Sequence, residues 1–233
     1  MIVPAESRDA PVLAIDGPSG SGKGTVARRV ADALGWHLLD SGALYRLTAL
    51  AVARSGRSDA PEDCLAQIAA TLEIRFGLDR NREEQVWLAG EDVTAAIRTE
   101  ECSRLASHVA LLPAVRKALL DLQRGFRQPP GLVADGRDMG TKVFPDAFLK
   151  VFLTASAGVR AQRRYKQLKD KGIDVSLPAL SQHIEDRDKR DSERTVAPLR
   201  AAEDARLLDS SNLTIDEVTR TVLAWVQDRL PAQ

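Results

Sequence analysis

This sequence of 233 residues has two cysteines, few aromatic side chains and no formal net charge. Its two cysteines, Cys64 and Cys102, cannot form a disulfide framework, which fits a reducing compartment, and we expect a cytoplasmic protein. The 33 lysines and arginines balance the 33 aspartates and glutamates, which argues against bulk attraction to nucleic acid or to an anionic membrane. Neither nucleic acid nor membrane is therefore a predicted partner.

Long apolar runs are lacking as well. The run Leu47–Ala53 is interrupted by Thr48 and is far shorter than the roughly 18 residues that a membrane span needs. The first residues, MIVPAESRDAP, show no basic region followed by an apolar stretch, so we expect no secretory signal. No heptad pattern and no long exposed apolar strand is evident, and a monomer is the default expectation.

Short apolar strands alternate with helical patterns toward both ends of the chain. Near the start, a strand at Val12–Ile15 precedes a helix at Lys23–Leu34 with a stop at Gly35, and a second strand and helix follow at His37–Leu39 and about Gly42–Ala53. This order predicts a parallel sheet with helices on both faces. The later elements of the same kind are strands at Leu132–Ala134, Ala147–Leu153 and Arg206–Leu208 and helices at Ser156–Lys171, Leu177–Asp191 and Ile215–Leu230, the last capped by Thr214 or Asp216.

The middle of the chain breaks this rhythm. After a helix at Pro61–Leu72, the segments Leu72–Phe76 and Gln85–Leu88 alternate in the β manner around the turn-rich residues Asp79–Arg82. Such a hairpin has no place in a simple parallel sheet, so we interpret it as an insertion with a small antiparallel sheet. Helical periodicity then resumes at about Thr99–Leu111 and Ala114–Phe126.

A glycine-rich loop joins the first strand to the first helix. It has the pattern GxxxxGK, in which backbone N–H groups turn inward around phosphate oxygens and the helix N-terminus adds positive potential. Lys23 supplies a mobile cation, and the alternative is a Gly/Ser-rich surface turn. The pattern predicts a P-loop NTPase fold that binds ATP. The predicted ATP-binding loop residues are Gly17, Pro18, Ser19, Gly20, Ser21, Gly22, Lys23, Gly24 and Thr25.

One departure from the usual loop concerns the metal. Gly24 stands where a Ser or Thr normally binds Mg²⁺, and Thr25 comes one place later. GKGT here resembles the nucleoside monophosphate kinase branch of P-loop proteins, in which the metal is held largely through the nucleotide and ordered waters. Asp135, at the end of an apolar strand, is a candidate to reach that metal through water, and its alternative role is a helix cap or loop carboxylate.

The sequence lacks the motifs of two other classes of nucleotide-dependent protein. A switch GTPase would carry an Asn-Lys-x-Asp base-reading motif, and a protein kinase would carry His-Arg-Asp and Asp-Phe-Gly elements, none of which occurs here. Transfer of a phosphoryl group to another phosphate instead requires arginines, whose planar forks grip phosphate through two hydrogen bonds. The arginines in distinctive settings are Arg46, Arg116, Arg137, the trio Arg160, Arg163 and Arg164, and those of the segment 187–194.

Four segments together carry a specific resemblance. They are LLDSGALYR (Leu38–Arg46), GEDVTAAIRTEE (Gly90–Glu101), VADGRDMGTKVFPDA (Val133–Ala147) and RDKRDSERTVAPL (Arg187–Leu199). With the phosphate loop they resemble the bacterial cytidylate kinase family, in order and over most of the chain. The resemblance implies transfer of the γ-phosphoryl group of ATP to CMP or dCMP, with Mg²⁺ and without a covalent enzyme intermediate.

The resemblance also implies a domain division. A P-loop kinase core would comprise residues 10–55 and 117–233, with a short lid at about 158–175. Residues 56–116 would form the CMP-binding domain, with the β-rich insertion at about 62–102. Basic residues of the lid, Arg160, Arg163 and Arg164, would fold over ATP, and the catalytic set would be Lys23, Arg137, Arg163 and Arg164.

The acceptor nucleotide would have its own set of residues. Arg116 can donate to O2 and N3 of cytosine, and Asp138 can accept from its exocyclic amino group, where uracil has an oxygen instead. Tyr45 offers a stacking face or is simply helix packing. The resemblance places Ser41, Ser107, Arg116 and Asp138 around the cytosine, Arg46, Arg137 and Arg194 on the acceptor phosphate, and Asp191 with Arg187 at the ribose hydroxyls.

Three other functions stay open from the residues alone. A kinase for UMP, AMP or another small acceptor would share this machinery and differ at Arg116 and Asp138. A P-loop ATPase or nucleotide switch would hydrolyse or bind ATP without a second nucleotide. A non-catalytic interaction protein would not need Lys23 and the arginine set.

Overall fold

The structure, a computed structural model, describes residues 10–79, 84–170 and 172–230. The beginning of the segment MIVPAESRDAP, most of the predicted turn at Asp79–Arg82, the predicted helix end at Lys171 and the last three residues of the predicted core lie outside the described residues. The chain divides into two compact units. We call the residues up to Leu39 together with those from Gly125 onward the core unit, and Asp40–Arg124 the insertion unit.

A five-stranded sheet lies in the core unit, and its strand order places the first strand in the middle. The order is β2-β6-β1-β7-β8, and both neighbours of β1 as well as the β7–β8 pair are parallel. The predicted α/β fold with a parallel sheet is thus confirmed. These strands are β1 (Val12–Asp16), β2 (His37–Asp40), β6 (Leu132–Gly136), β7 (Leu149–Thr154) and β8 (Arg206–Asp209).

The central strand is buried on both faces. Every residue of β1 and of β6 is buried, as expected of a parallel sheet that is covered on its two sides. The register pairs Asp16 with Gly136 on one side and with Phe152 on the other. Because parallel strands end at one edge, the segments that follow these strands start from the same edge of the sheet.

Helices of the core unit follow the predicted periodicity. They are α1 (Lys23–Leu34), α6 (Ala157–Lys169), α7 (Leu177–Glu193) and α8 (Ile215–Gln227), and a π-helical turn spans Met139–Val143. Helix α1 ends at Gly35, whose φ of 66° is left-handed. Helix α8 begins with a capping box in which the Thr214 hydroxyl and the Glu217 carboxylate each serve the other's backbone, so Thr214 rather than Asp216 is the cap.

Apolar side chains of α1 and α8 form one core with the sheet. Val26 and Val30 from α1 and Val218 and Val222 from α8 are fully or almost fully buried in the same cluster as β1. This packing fixes the first turn of α1, and with it the loop before it, against the sheet.

Helices predominate in the insertion unit, which also contains the small sheet. The predicted hairpin is confirmed, since β3 pairs antiparallel with β4, and β4 pairs in turn with a short third strand that the sequence did not predict. The elements are α2 (Ser41–Arg54), α3 (Glu62–Ala70), β3 (Ile74–Leu78), β4 (Glu84–Leu88), β5 (Glu91–Asp92), a 3₁₀ turn (Ala96–Arg98), α4 (Glu100–Val109) and α5 (Pro113–Gly125).

Helix α2 is the hub of the insertion unit. One face of it, with Tyr45 and Val52, packs against α3, α4 and α5, and Leu47 packs on the small sheet. The compact unit that contains this helix begins at Asp40. The division into residues 10–55 with 117–233 and residues 56–116 stays a prediction. Among the described residues no helix is both long and apolar enough to cross a membrane.

Candidate active site

The phosphate loop forms at the carboxyl end of β1, as predicted. A Cβ atom on Gly17 would lie 2.0 Å from the carbonyl oxygen of Leu153, so only glycine fits where the loop leaves the sheet. Gly22, with a φ of 91°, turns the chain into α1 and provides no side-chain cap. The first N–H groups of α1 are therefore not served by an N-cap side chain, which suits an anion.

Lys23 is the first residue of α1 and belongs to the loop it follows. Its side chain is largely buried, and its Nζ donates to the carbonyl oxygen of Pro18 at 3.2 Å. A primary ammonium carries three donors, so this contact leaves the amine able to serve phosphate oxygens too. The lysine, the glycine turn and the helix N-terminus form a cradle that fits a polyphosphate.

Two arginines of α6 hold the backbone of this loop. Arg160 is 4% exposed, donates from Nη1 to the carbonyl of Ser19 at 3.1 Å and is paired with the carboxylate of Asp188 on α7. Arg163 donates to the carbonyl of Ser21 at 3.3 Å and to that of Ser210 at 2.7 Å. These two predicted lid arginines thus contact backbone carbonyl groups of the loop.

Arg164, the third arginine of this trio, and Ser210, which follows β8, have different kinds of partner. Arg164 is partly exposed and donates to the Gln167 side chain at 2.9 Å, within its own helix. Ser210 is 2% exposed, and its hydroxyl donates to the carbonyl of Ser21 at 3.1 Å. No motif pointed to Ser210, because it meets the loop only through the pairing of β8 with β7.

Acceptor-side residues of the core unit cluster around α7. Arg137, which follows β6, forms an ion pair with Asp191 at 3.0 Å between Nε and Oδ2, and both side chains are largely buried. Arg187 lies four residues before Asp191 and thus on the same side of α7. Arg194 follows that helix and donates to the carbonyl of Ala197.

Acceptor-side residues of the insertion unit are also held by defined partners. The guanidinium of Arg116 lies 5.6 Å from the ring centre of Tyr45, and its Nη1 donates to the carbonyl of Ala110 at 3.2 Å. Arg46 pairs with Asp40 at 2.9 Å, a carboxylate that also caps α2. Asp40 was not among the residues predicted from the sequence, although an aspartate directly before a helix is a common cap.

The two predicted serines make contacts within the insertion unit. The Ser41 hydroxyl donates to the Gln123 side chain at 3.0 Å, and Ser41 and Gln123 are both buried. The Ser107 hydroxyl donates to the carbonyl of Ser103 at 3.0 Å, one turn back in its own helix. Of the acceptor set, the structure therefore brings Tyr45 next to Arg116 and joins Arg137 to Asp191.

A buried carboxylate that the sequence analysis missed lies next to the phosphate loop. Asp16, the last residue of β1, accepts the backbone N–H groups of Met139 and Gly140, each at 2.8 Å. Burial, together with the nearby carboxylates of Asp138 and Asp135, raises the pKa of Asp16 to about 7 against the lowering effect of the two N–H groups. One sequence signal could have identified Asp16: it is an aspartate that ends an otherwise apolar strand directly before a phosphate loop.

Asp135 lies at the same edge and approaches the loop. It is largely buried at the penultimate position of β6, and its Oδ2 would lie 3.1 Å from a Cβ atom on Gly24. A serine or threonine at position 24 would therefore crowd this carboxylate, which gives a physical reason for the glycine. Among the described residues no cluster of three or more His, Cys, Asp or Glu side chains could hold a metal ion.

The parallel sheet, the loop after its central strand and the lysine that opens α1 define a P-loop phosphate-binding protein. Comparison with known families narrows the class, because the cytidylate kinase family model matches residues 13–228. The chain belongs to the cytidylate kinase family, and the resemblance found in its sequence is confirmed.

Curated relatives agree over nearly their whole length. The chain is 61% identical to the cytidylate kinase of Methylococcus capsulatus over 217 residues, which cover 93% of this chain and 97% of that protein. It is 60% identical to the cytidylate kinase of Cupriavidus necator, covering 92% and 94% of the two chains. The corresponding values for the cytidylate kinase of Aeromonas salmonicida are 57%, 95% and 96%.

The raised pKa of Asp16 predicts a pH-dependent stability difference for Asp16→Asn. The folded protein holds this proton up to a pKa of about 7 and the unfolded chain releases it near 3.8. The wild type therefore loses stability as the pH rises through that window, by up to about 4 kcal/mol relative to the variant, and the difference is constant above it. Urea unfolding at pH 4.5 and pH 8 measures this.

The control for that measurement is Asp121→Asn, which removes an exposed carboxylate of α5. Its stability curve should run parallel to that of the wild type. Parallel curves for Asp16→Asn as well would contradict the raised pKa.

Proposed function

We propose that this protein transfers the γ-phosphoryl group of ATP to CMP or dCMP, giving ADP and CDP or dCDP. The observation that supports it most is the phosphate cradle of Gly17–Lys23 at the carboxyl end of β1, in a chain that the cytidylate kinase family model matches over residues 13–228. We expect the reaction to take place in the cytoplasm, with the protein acting as a monomer.

On the donor side, the chain's own groups neutralise and orient the triphosphate. The loop N–H groups and the start of α1 hold the phosphates, and Lys23 donates to phosphate oxygens in addition to the Pro18 carbonyl. Arg160 and Arg163 keep the loop in shape through the carbonyls of Ser19 and Ser21. We propose that Arg163 and Arg164 also offer donors to the transferring phosphoryl group, since a guanidinium has five.

On the acceptor side, arginines would bind the phosphate of CMP, and polar side chains would form hydrogen bonds with its ribose and its base. Arg46, Arg137 and Arg194 would bind the phosphate of CMP, and Asp191 with Arg187 would bind the ribose hydroxyls. Because Asp191 already pairs with Arg137, the same carboxylate keeps that arginine oriented before substrate arrives. For the base, Ser41, Ser107 and Arg116 would donate to cytosine, Tyr45 would contact its ring, and Asp138 would accept from the amino group.

Mg²⁺ fits this site only through the nucleotide. When bound, the ion would offset the charge of the ATP phosphates. Asp135 would reach its bound water, since that carboxylate lies beside Gly24, the position at which other P-loops present a hydroxyl. Gly24 leaves Thr25, which is exposed, as the nearest hydroxyl of α1.

The chemistry needs no covalent enzyme intermediate. The acceptor phosphate is a nucleophile at neutral pH, so the protein's task is to bring two polyanions into line and to stabilise the charge that develops between them. Lys23, Arg137, Arg163 and Arg164 would supply that stabilisation.

The direct test is ADP formation from ATP and Mg²⁺ with CMP, dCMP, UMP or AMP supplied separately, beside a reaction without acceptor. We expect strong stimulation by CMP and dCMP over the other two, because only cytosine offers an amino group together with the O2 and N3 acceptors. ADP release that does not depend on an acceptor would indicate an ATPase. Stimulation by UMP or AMP would keep the kinase and overturn the assignment of the base.

Replacement of the loop lysine tests the donor side. Lys23→Ala should lower kcat by about 10²–10⁴, because a charge partner of the transition state is lost. The matched control is Lys117→Ala, which removes an exposed lysine of α5 and should leave kcat unchanged. Near-normal turnover of Lys23→Ala in the same steady-state assay would remove Lys23 from the mechanism.

Replacement of the proposed base reader tests the acceptor side. Asp138→Ala should reduce the preference for CMP over UMP more than it weakens ATP binding, because the carboxylate distinguishes an amino group from a carbonyl oxygen. Competition between CMP and UMP measures the preference, and the KM for ATP is the internal control. Unchanged discrimination would contradict the assignment.

A further inference from the structure

We propose that Asp16 is a positioning residue for base selectivity: its carboxylate caps the π-helical turn after Asp138, so that Asp138 does not serve as that cap and its own carboxylate serves the substrate base. The inference rests on the proposed function, in which Asp138 reads cytosine. It concerns only residues of the core unit.

The turn begins where a self-capping aspartate would be expected. Asp138 occupies the N-cap position of the turn Met139–Val143, with φ −146° and ψ 24°. An N-cap aspartate ordinarily accepts backbone N–H groups of the turn that follows it. Here its side chain makes no capping hydrogen bond.

Asp16 takes over that task from another strand. Its two carboxylate oxygens accept the N–H groups of Met139 and Gly140, the first two of the turn, each at 2.8 Å. The side chain is 5% exposed, so water does not offer these N–H groups an easy replacement. The parallel register that sets Asp16 beside Gly136 brings the carboxylate to this point.

Three N–H groups further along the turn are satisfied without Asp16. The N–H groups of Lys142 and Val143 donate to the carbonyl of Asp138 at 2.9 and 3.2 Å, and that of Phe144 donates to the carbonyl of Met139 at 2.7 Å. Met139 is fully buried, and a Cβ atom on Gly136 would lie 2.8 Å from its side chain. The turn is therefore packed in place, and its first two N–H groups depend on a carboxylate.

Loss of the Asp16 carboxylate would create competition for Asp138. The carboxylate nearest in sequence to the two N–H groups is that of Asp138, at the position from which aspartates usually cap. A side chain drawn onto the turn would leave the cytosine amino group without its acceptor. The expected consequence is a loss of selectivity for cytosine rather than a general loss of activity.

The measurement is the ratio of kcat/KM for CMP to kcat/KM for UMP, taken in competition. Both substrates then compete for the same folded molecules, so a variant that folds incompletely still reports a valid ratio. Asp16→Asn should lower the ratio on the order of tenfold, the effect of one hydrogen bond to a charged group. Asp16→Asn keeps one acceptor oxygen and turns an NH₂ group toward the other backbone N–H, and Asp16→Ser keeps one oxygen on a shorter side chain, so both variants should lower the ratio.

A double-mutant cycle separates positioning from an independent effect. In an Asp138→Ala background, Asp16→Asn should not lower the ratio further, because the residue through which it acts is gone. The control is Asp92→Asn, which removes a carboxylate that accepts the N–H of Thr94 in the insertion unit, and its ratio should equal that of the wild type.

Three outcomes would overturn the inference, and they differ in what else they remove. An unchanged ratio in Asp16→Asn and Asp16→Ser, while Asp138→Ala lowers it, overturns the positioning role alone. The same fold decrease with and without Asp138 shows that Asp16 acts independently and also overturns it. An unchanged ratio in Asp138→Ala removes the base reader itself, and with it both this inference and that part of the proposed function.

Discussion

The site depends above all on one constraint: β1 is held between two parallel neighbours in a fixed register. Asp16 lies beside Gly136 on one side and Phe152 on the other, so β1 and β6 end at the same level and β7 ends two residues later, at Thr154. The phosphate loop, the segment with Arg137 and Asp138, and the start of α6 all follow from those ends. A slip of the register by one residue would move Asp16 out of line with Gly136 and would shift these segments relative to one another.

That arrangement concentrates negative charge in an apolar place. Asp16, Asp135 and Asp138 are all largely buried at one edge of the sheet, and the pKa of Asp16 is raised in consequence. Two backbone N–H groups offset only part of the desolvation of Asp16. A core optimised for stability alone would not gather three carboxylates. Their presence in a well-packed unit indicates a functional site, because burying three carboxylates lowers the stability of the fold.

Sequence patterns predicted most of the fold, because each element carries its own local signal. The strands, the helices and the hairpin at Ile74–Leu88 lie within a few residues of their predicted positions, and the loop with Lys23 forms as expected. The signal failed where structure depends on distant partners. Strand β5 consists of two exposed residues without periodicity, and Asp16 meets its two N–H donors more than 120 residues away in the chain. Ser210 likewise reaches the loop only through strand pairing.

The arginines show a second limit of sequence patterns. Composition indicates how many guanidinium groups are present, but their partners depend on packing. Arg160 and Arg163 come from one helix and both contact carbonyls of the phosphate loop, whereas Arg164, the next residue, donates to Gln167 in its own helix. Because a guanidinium has five donors, holding the loop and binding phosphate do not exclude each other. Loop support and phosphate binding therefore share the same side chains, and a substitution at Arg160 or Arg163 would disturb the shape of the cradle together with its charge.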